Sequence, residues 1–229
     1  MLDALYPQPC VVCRDEHGGP VCEACDRELV VRARSQPPGR LRELFVLAAY
    51  RSPFGELVAR AKAGHDREPL LALGQAMGRR ARPFTAGFFD AVVPCPSPWP
   101  RLARRGFGPG HVLAVGVARG AELPMVSALS VRPGRRQSTL DQASRASNLA
   151  RRLRLKKRTA GRVLLVDDVV TTGATMGACA QVLLQQAHVD GVWGLACCAV
   201  ARRQMSPDAE QPTMVRDVCF RPEGTGGAY

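Results

Sequence analysis

The sequence predicts an α/β protein with a mostly parallel central sheet and a small N-terminal knuckle of four cysteines. Residues 162–200 have the pattern of a buried strand, a helix and a second buried strand. Apolar strands joined through a helix are typical of a parallel sheet that is covered on both faces. Four of the nine cysteines fall within the first 25 residues. We therefore divide the chain into a cysteine knuckle (1–26), a basic linker or helix (27–43), an α/β domain (44–203) and an irregular tail (204–229).

Apolar runs alternate with helical patterns along the whole α/β domain. Strands are predicted over 44–50, 89–93, 125–131, 162–166 and 191–200, and helices over 54–63, 69–82, 111–119 and 176–186. Glycine or proline ends some of these runs, as at Gly64 and Pro94. Residues 167–175 form the predicted loop between the strand and the helix of the clearest unit.

Composition excludes several classes of protein. With 46% hydrophobic and 23% charged residues, the 229-residue chain is expected to bury a core rather than to be disordered. No apolar run reaches the ~18 residues of a membrane span, and the N-terminus lacks the pattern of a signal peptide. An odd number of cysteines in such a chain also indicates a reducing compartment. We therefore expect a cytoplasmic protein with no membrane span.

The charge balance favours an anionic partner. Lysine and arginine number 32 against 20 acidic residues, which gives a net charge of +12. Such a surplus is typical of proteins that bind nucleic acid, a phosphorylated metabolite or an anionic membrane. Only three of the basic residues are lysines, so codon bias explains the preference for arginine. It does not explain the excess over acidic residues.

The four N-terminal cysteines have the spacing of a zinc site. Cys10 and Cys13 form one C-x-x-C pair, Cys22 and Cys25 form another, and eight residues separate the pairs. Two such pairs bring four thiolates around one tetrahedral ion. A segment this short cannot hold a core unaided, so a structural zinc ion would fold it. The alternatives are four unligated thiols or a redox-active pair.

The segment after the strand at 162–166 has the residues of a phosphate site. Asp167 and Asp168 lie at the carboxyl end of that strand, where open α/β sheets bind ligands. The hydroxyls, the glycine and the backbone N–H groups before the next helix suit a phosphomonoester; these residues are Val170, Thr171, Thr172, Gly173, Ala174 and Thr175. The two carboxylates suit sugar hydroxyls, or Mg²⁺ held through water. Alternatively, they cap the following helix.

These motifs resemble a known family. Residues 163–175, VLLVDDVVTTGAT, resemble the phosphoribosyl pyrophosphate (PRPP) signature of type I phosphoribosyltransferases. The wider chain, from about residue 10 to residue 203, resembles the ComF family of late competence proteins. The further matches are the cysteine knuckle, the helix at 54–64, Val93–Pro96 followed by Arg104–Phe107, and the segment 137–148. Gly108 and Pro109 depart from the family pattern, which has Asn-Gln there.

The resemblance implies a type I phosphoribosyltransferase fold and a role for each matched residue. Thr171 to Thr175 would hold the 5-phosphate of PRPP, and the catalytic pair Asp167 and Asp168 would hold the ribose hydroxyls. Pro94, Cys95 and Pro96 would form the pyrophosphate loop, with Mg²⁺ bridging. Lys62 would reach the phosphates, or it is simply a solvated helix lysine.

Arginine-rich segments supply candidate contacts to phosphate or DNA. These candidates are Lys62, Arg104, Arg105, Arg135, Arg136, Arg151, Arg152, Arg154, Lys156, Lys157 and Arg158. Guanidinium groups bind phosphates in a bidentate manner, and arginines beside aromatic rings can hold single strands by charge and stacking. Alternatively, these faces are merely solvated, or some arginines neutralise the pyrophosphate of PRPP.

The leading hypothesis is a ComF-type protein that binds single-stranded DNA and assists DNA uptake in natural transformation, with a retained PRPP site. The resemblance also implies a location at the inner face of the membrane and a DEAD-box-type helicase partner. One alternative is an active Mg²⁺-dependent phosphoribosyltransferase of nucleotide metabolism. Another is a zinc-dependent interaction module with a vestigial site.

Overall fold

A five-stranded sheet forms the centre of the protein. The computed structural model describes residues 9–16, 20–34, 36–133 and 151–200. The strand order is β1-β2-β7-β6-β3, with β1 (Arg32–Ala33), β2 (Leu44–Ala49), β3 (Ala91–Pro94), β6 (Gly161–Val170) and β7 (Val189–Ala199). Only β1 runs antiparallel to its neighbour. The described residues thus confirm a mixed α/β protein with a mostly parallel central sheet.

Helices and a small second sheet surround the central sheet. The helices are α1 (Glu23–Glu28), α2 (Pro53–Gly64), α3 (Glu68–Thr85), α4 (Trp99–Arg105), α5 (Pro109–Ala121) and α6 (Ala174–Leu183). Strands β4 (Leu129–Val131) and β5 (Leu153–Leu155) pair antiparallel with each other. No helix among the described residues is long and apolar enough to cross a membrane.

Each face of the central sheet has its own apolar core. Alternate residues of β6 supply both, because successive side chains of a strand point to opposite faces. Leu164 and Val166 pack with α2, α3 and α5, whereas Val163 and Leu165 pack with α6 and the small sheet. Helices α3 and α5 touch through glycines, and a Cβ atom at Gly116 would lie 2.5 Å from the carbonyl oxygen of Leu71. This packing fixes the helices that carry the site.

The structure corrects two expectations about the signature segment and the basic linker. Strand β6 continues through both aspartates to Val170, because residues 167–170 pair with 196–199 of β7. The predicted loop at 167–175 therefore shrinks to residues 171–173. Residues 27–43 were expected to be a linker or a basic helix, but Arg32–Ala33 instead forms the antiparallel edge strand β1.

Other element boundaries also differ from those predicted. Helix α6 begins two residues earlier than predicted and ends at Leu183, and the strand predicted over 125–131 is confined to Leu129–Val131. Helix α4 and strand β5 were not predicted. The segment 137–148 and the tail at 204–229 lie outside the described residues.

Candidate functional site

A cleft of about 310 Å³ lies at the carboxyl ends of β3 and β6. Five parts of the fold line it: the end of α2, the loop after β3, helix α4, the start of α5, and β6 with the start of α6. The lining residues are Lys62, Cys95, Pro96, Ser97, Pro98, Arg101, Arg104, Arg105, Pro109, Gly110, Asp167, Asp168, Val169, Thr171 and Thr175. The fold thus brings acidic, basic and hydroxyl side chains to one place.

The two aspartates are held by their own strand and by Lys62. Asp167 Oδ1 accepts a hydrogen bond from the Asp168 N–H at 2.9 Å, and Asp168 Oδ1 accepts one from the Val169 N–H at 2.9 Å. Lys62 Nζ, at the end of α2, forms an ion pair with Asp168 Oδ2. The N-cap of α6 is Gly173, so neither aspartate caps that helix. Both carboxylates therefore face the cleft rather than serving the helix.

The surroundings favour the protonated form of Asp167. Burial raises its pKa well above the ordinary value, the Asp168 charge raises it further, and the Lys62 charge partly opposes both. Gly110 leaves room here, since a Cβ atom at that position would lie 3.1 Å from Asp167 Oδ1. A cation or a hydrogen-bond donor entering the cleft would relieve this repulsion.

The loop after β6 presents some, but not all, of the predicted phosphate-binding residues to the cleft. Thr171 and Thr175 line it. Thr172 is exposed, and its Oγ1 accepts a hydrogen bond from the Ala174 N–H at 3.3 Å. Val170 is buried in the core beside α6. Its backbone carbonyl accepts a hydrogen bond from the Val200 N–H, so Val170 belongs to the sheet.

Gly173 permits the turn between β6 and α6. It has a φ of +78°, a conformation that glycine adopts without strain. A Cβ atom at this position would lie 2.4 Å from Cγ of Pro38, in the segment before β2. The first turn of α6 contains no acidic residue, so no carboxylate of that turn lies beside the N–H groups at the start of the helix.

The opposite wall of the cleft is basic. Arg101, Arg104 and Arg105 share one face of α4 because they lie three and four residues apart. Arg105 Nε also donates a hydrogen bond to the backbone carbonyl of Lys62 at 3.1 Å, which ties α4 to α2. The proline at the second helical position and Gly106 in the left-handed region were sequence signals for this helix.

The predicted pyrophosphate loop is split between strand and cleft. Pro94 ends β3, and Cys95 and Pro96 line the cleft. The Cys95 N–H donates to the Val166 carbonyl at 2.8 Å, so the loop is fixed to β6. Burial raises the pKa of the Cys95 thiol well above its ordinary value, which makes it a packing residue rather than a nucleophile.

The remaining basic candidates lie away from this cleft. Arg152 donates through Nε and Nη2 to the Arg132 carbonyl, and Arg154 donates to the carbonyls of Arg151 and Leu153. Lys157 and Arg158 are exposed beyond β5, as is Lys156. Arg135 and Arg136 lie outside the described residues. Of the predicted contacts, the structure thus gathers Lys62, Arg104 and Arg105 around the aspartates.

The four cysteines form a cluster that fits zinc. The Sγ atoms of Cys10, Cys13, Cys22 and Cys25 all lie within 4.8 Å of one another. A tetrahedral zinc ion with bonds of ~2.3 Å holds its sulfur ligands about 3.8 Å apart, which lies within that limit. Burial raises the pKa of the Cys10 thiol, but backbone N–H groups, that of Cys22 foremost, outweigh it and lower the pKa to about 6. The thiolate is thus favoured at Cys10, whereas burial and the neighbouring thiols raise the pKa of Cys25.

The cysteine cluster is anchored to the α/β domain. Asp26, in α1, pairs with Arg80 of α3 at 2.9 Å, and Arg80 Nε also donates to the Asp26 carbonyl at 2.7 Å. Arg60 of α2 donates to the Val11 carbonyl at 3.3 Å. The knuckle therefore packs on α2 and α3, the same helices that support one face of the sheet.

Comparison with protein-family models and with curated proteins adds no relative. No protein-family model matches the chain, and no curated protein matches it. The described residues define a mixed α/β protein with a mostly parallel sheet, a four-cysteine cluster and a cleft in which acidic, basic and hydroxyl groups converge.

Proposed function

We propose that this chain is a ComF-type competence protein that binds single-stranded DNA during natural transformation and holds PRPP, or a related phosphoribosyl ligand, in the cleft after β6. The observation that supports this most is the convergence of opposite charges in that cleft. Asp167 and Asp168 face the three arginines of α4 across this cleft, whose volume is about 310 Å³. A phosphorylated sugar has hydroxyls for carboxylates and phosphates for guanidinium groups, so it suits both walls.

Each wall has a role in this proposal. The aspartates accept hydrogen bonds from the ribose hydroxyls, while Thr171, Thr175 and the first turn of α6 face the 5-phosphate. The guanidinium groups of α4 and the ammonium of Lys62 face the pyrophosphate. The carboxylate oxygens also fit Mg²⁺, which prefers oxygen ligands. Bound there, Mg²⁺ would neutralise part of the pyrophosphate charge.

The size of the cleft agrees with such a ligand. A volume of about 310 Å³ lies at the lower end of the range of ligand pockets, roughly 300–1,000 Å³. A single phosphorylated sugar matches this size better than a dinucleotide does. The loop between β6 and α6 also contains no lysine, and this distinguishes the cleft from nucleoside triphosphate sites of the Walker type.

Calorimetric titration with PRPP and Mg²⁺ tests the ligand assignment. We expect saturable binding to the wild type and a loss of affinity of about tenfold or more in the Asp167→Asn, Asp168→Asn double variant, since charge-assisted hydrogen bonds are removed. Asp190→Asn is the matched control, because Asp190 is exposed at the start of β7. Equal affinity in all three proteins would place the ligand elsewhere.

The competence role is tested in cells. A strain that lacks this gene should lose transformability, and a strain that expresses the double aspartate variant should show whether the cleft is needed. Normal transformation after deletion would contradict the role. Full rescue by the double variant would instead favour an interaction module with a vestigial site. Location at the inner membrane face and a DEAD-box-type helicase partner follow from the family resemblance, and pull-down from competent cells tests them.

An active phosphoribosyltransferase of nucleotide metabolism is the second candidate. The observation in its favour is that both carboxylates are present with a cation, Lys62, already beside them. The α4 arginines would stabilise the charge that develops on departing pyrophosphate. A pyrophosphate-release assay across the common nucleobases distinguishes the two. Release with one base would support the enzyme, and no release with any base would count against it.

A further inference from the structure

A second, larger cleft lies behind the loop that follows β3. Its volume is about 600 Å³, and it shares Cys95, Pro96 and Ser97 with the first cleft. The loop at 95–97 thus forms a common wall. The second cleft faces β4 and the start of α5 rather than the aspartates. None of the roles proposed above uses it.

Helix α4 presents a different surface to each cleft. Its arginines line the first cleft, whereas Trp99 and Leu102 line the second. Trp99 is 58% exposed, more than any other large apolar side chain in the described part of the chain. An indole beside a cavity offers a flat face to another ring, and Phe107 adds a second aromatic side chain to the same lining.

The polar groups around this second cleft are cationic or neutral. Arg67 and Lys156 lie in its lining, which includes no aspartate or glutamate among the described residues. His111 also lines it, and burial lowers the pKa of this imidazole, so it is uncharged at neutral pH. A neutral imidazole has one donor and one acceptor nitrogen, which suits the edge of a nucleobase.

We infer that this second cleft binds a nucleobase of single-stranded DNA, stacked on Trp99, with the neighbouring phosphates held by Arg67 and Lys156. Aromatic stacking combined with a cationic path for the backbone is how proteins hold single strands without reading their sequence. The inference rests on the proposed binding of single-stranded DNA and locates it. It also assigns a role to an exposed tryptophan that packing does not explain.

Fluorescence anisotropy of a labelled oligothymidylate tests this inference on the full chain. We expect Trp99→Ala to weaken binding by about tenfold, as for the loss of one stacked base. Trp99→Phe should retain most of the affinity, since a ring remains. Tyr50→Ala is the matched control, because Tyr50 is also exposed, at 40%, and lines neither cleft. It should bind as the wild type does.

Tryptophan emission provides a second readout on the same samples. DNA should quench the tryptophan emission of the wild type and leave the emission of Trp99→Phe unchanged. The emission of that variant comes from Trp193, the other tryptophan, which is partly buried against Phe88 and Phe89. If the wild type binds DNA but Trp99→Ala binds equally well, the second cleft is not the site, although DNA binding stands. If the wild type binds no DNA at low salt, both the site and the DNA-binding role are wrong.

Discussion

Lys62 is the residue on which the charge balance of the first cleft depends. Its ammonium pairs with Asp168, and its charge lowers the pKa of Asp167, which burial and Asp168 raise. Both partners are mostly buried, with side-chain exposures of 28% for Lys62 and 15% for Asp168. Removing one charge from such a pair leaves the other without compensation, which costs more than the loss of an exposed ion pair.

We predict that Lys62→Met lowers the free energy of unfolding by about 1–2 kcal/mol at neutral pH, between the values for exposed and buried pairs. Most of this loss should disappear in the Lys62→Met, Asp168→Asn double variant, because no uncompensated carboxylate is then left by the missing ammonium. Urea unfolding of both variants measures this. Lys157→Met is the control, since Lys157 is exposed. An equal loss in the single and the double variant would contradict the account.

Glu43 predicts a pH dependence outside both clefts. Its Oε2 atom is buried without a hydrogen-bond partner, and burial raises the pKa of the carboxyl. The pKa of Glu43 is therefore higher in the folded than in the unfolded chain. The free energy of unfolding falls as the pH rises from about 4.5, the ordinary pKa, through the raised pKa of the folded protein. Glu43→Gln should match the wild type in acid and melt slightly higher, by about 2 °C or less, at neutral pH.

Thermal melts from acid to neutral pH check the Glu43 prediction. Glu28→Gln is the control, because Glu28 is exposed at the end of α1. A variant that is less stable than the wild type at neutral pH would show that the Glu43 carboxylate has a favourable partner in solution.

At the scale of elements, the turn into α6 depends on a contact far along the chain. Gly173 has a positive φ, and Pro38 closes the space where its side chain would lie. Gly39 touches α6 one turn later, at Gly177, where a Cβ atom on Gly39 would lie 2.8 Å from Gly177 Cα. The segment before β2 thus supports the start of α6, which carries the proposed phosphate contacts.

We predict that Gly173→Ala destabilises the protein by about 1–3 kcal/mol and weakens PRPP binding, since backbone strain and the clash with Pro38 shift the helix start. Gly87→Ala is the matched control, with a φ of +70° but open space around it. It should cost about 1 kcal/mol and leave ligand affinity unchanged. Equal effects of both variants on affinity would show that the Pro38 contact does not position α6.

The predictions of strands were wrong where pairing with a strand distant in the chain determines the structure. An apolar pattern identifies β6 only as far as Val166, because the two aspartates look like the start of a loop. Their pairing with β7 extends the strand. Strand β1 could not be predicted either, since Arg32–Ala33 has no alternating pattern and becomes a strand only by pairing with β2. Helix α4, in contrast, has sequence signals at both ends, Pro100 and Gly106, from which it could have been predicted.

For the whole molecule, the cysteine knuckle shares a core with the sheet. Cys10, Cys22 and Cys25 are buried in the apolar cluster that also contains α2, α3 and α5. The spacing of the cysteines predicted the knuckle, and the run of apolar strands predicted the parallel sheet. Neither could predict that the two would dock, or the strand order, because those depend on contacts between segments distant in the chain.

We predict that the purified protein contains one zinc ion per chain and that chelation lowers the melting temperature by about 10 °C or more, since metal binding and core packing are coupled. Metal analysis and thermal melts measure this. Cys22→Ser should lose the ion. Cys179→Ala should keep it, because Cys179 lies in α6 and is buried on the other face of the sheet. Full retention of stability without zinc would mean that the knuckle needs no metal.

The central claim is that one molecule handles both a phosphoribosyl ligand and single-stranded DNA. The most direct measurement is anisotropy of a labelled single-stranded oligonucleotide, titrated with salt and with PRPP and Mg²⁺. The account predicts binding that weakens steeply with salt, as expected for phosphate contacts by a chain of net charge +12, and that PRPP alters. No binding at low salt would contradict it. The positive charge would then serve only the phosphorylated ligand, and the phosphoribosyltransferase would become the leading interpretation.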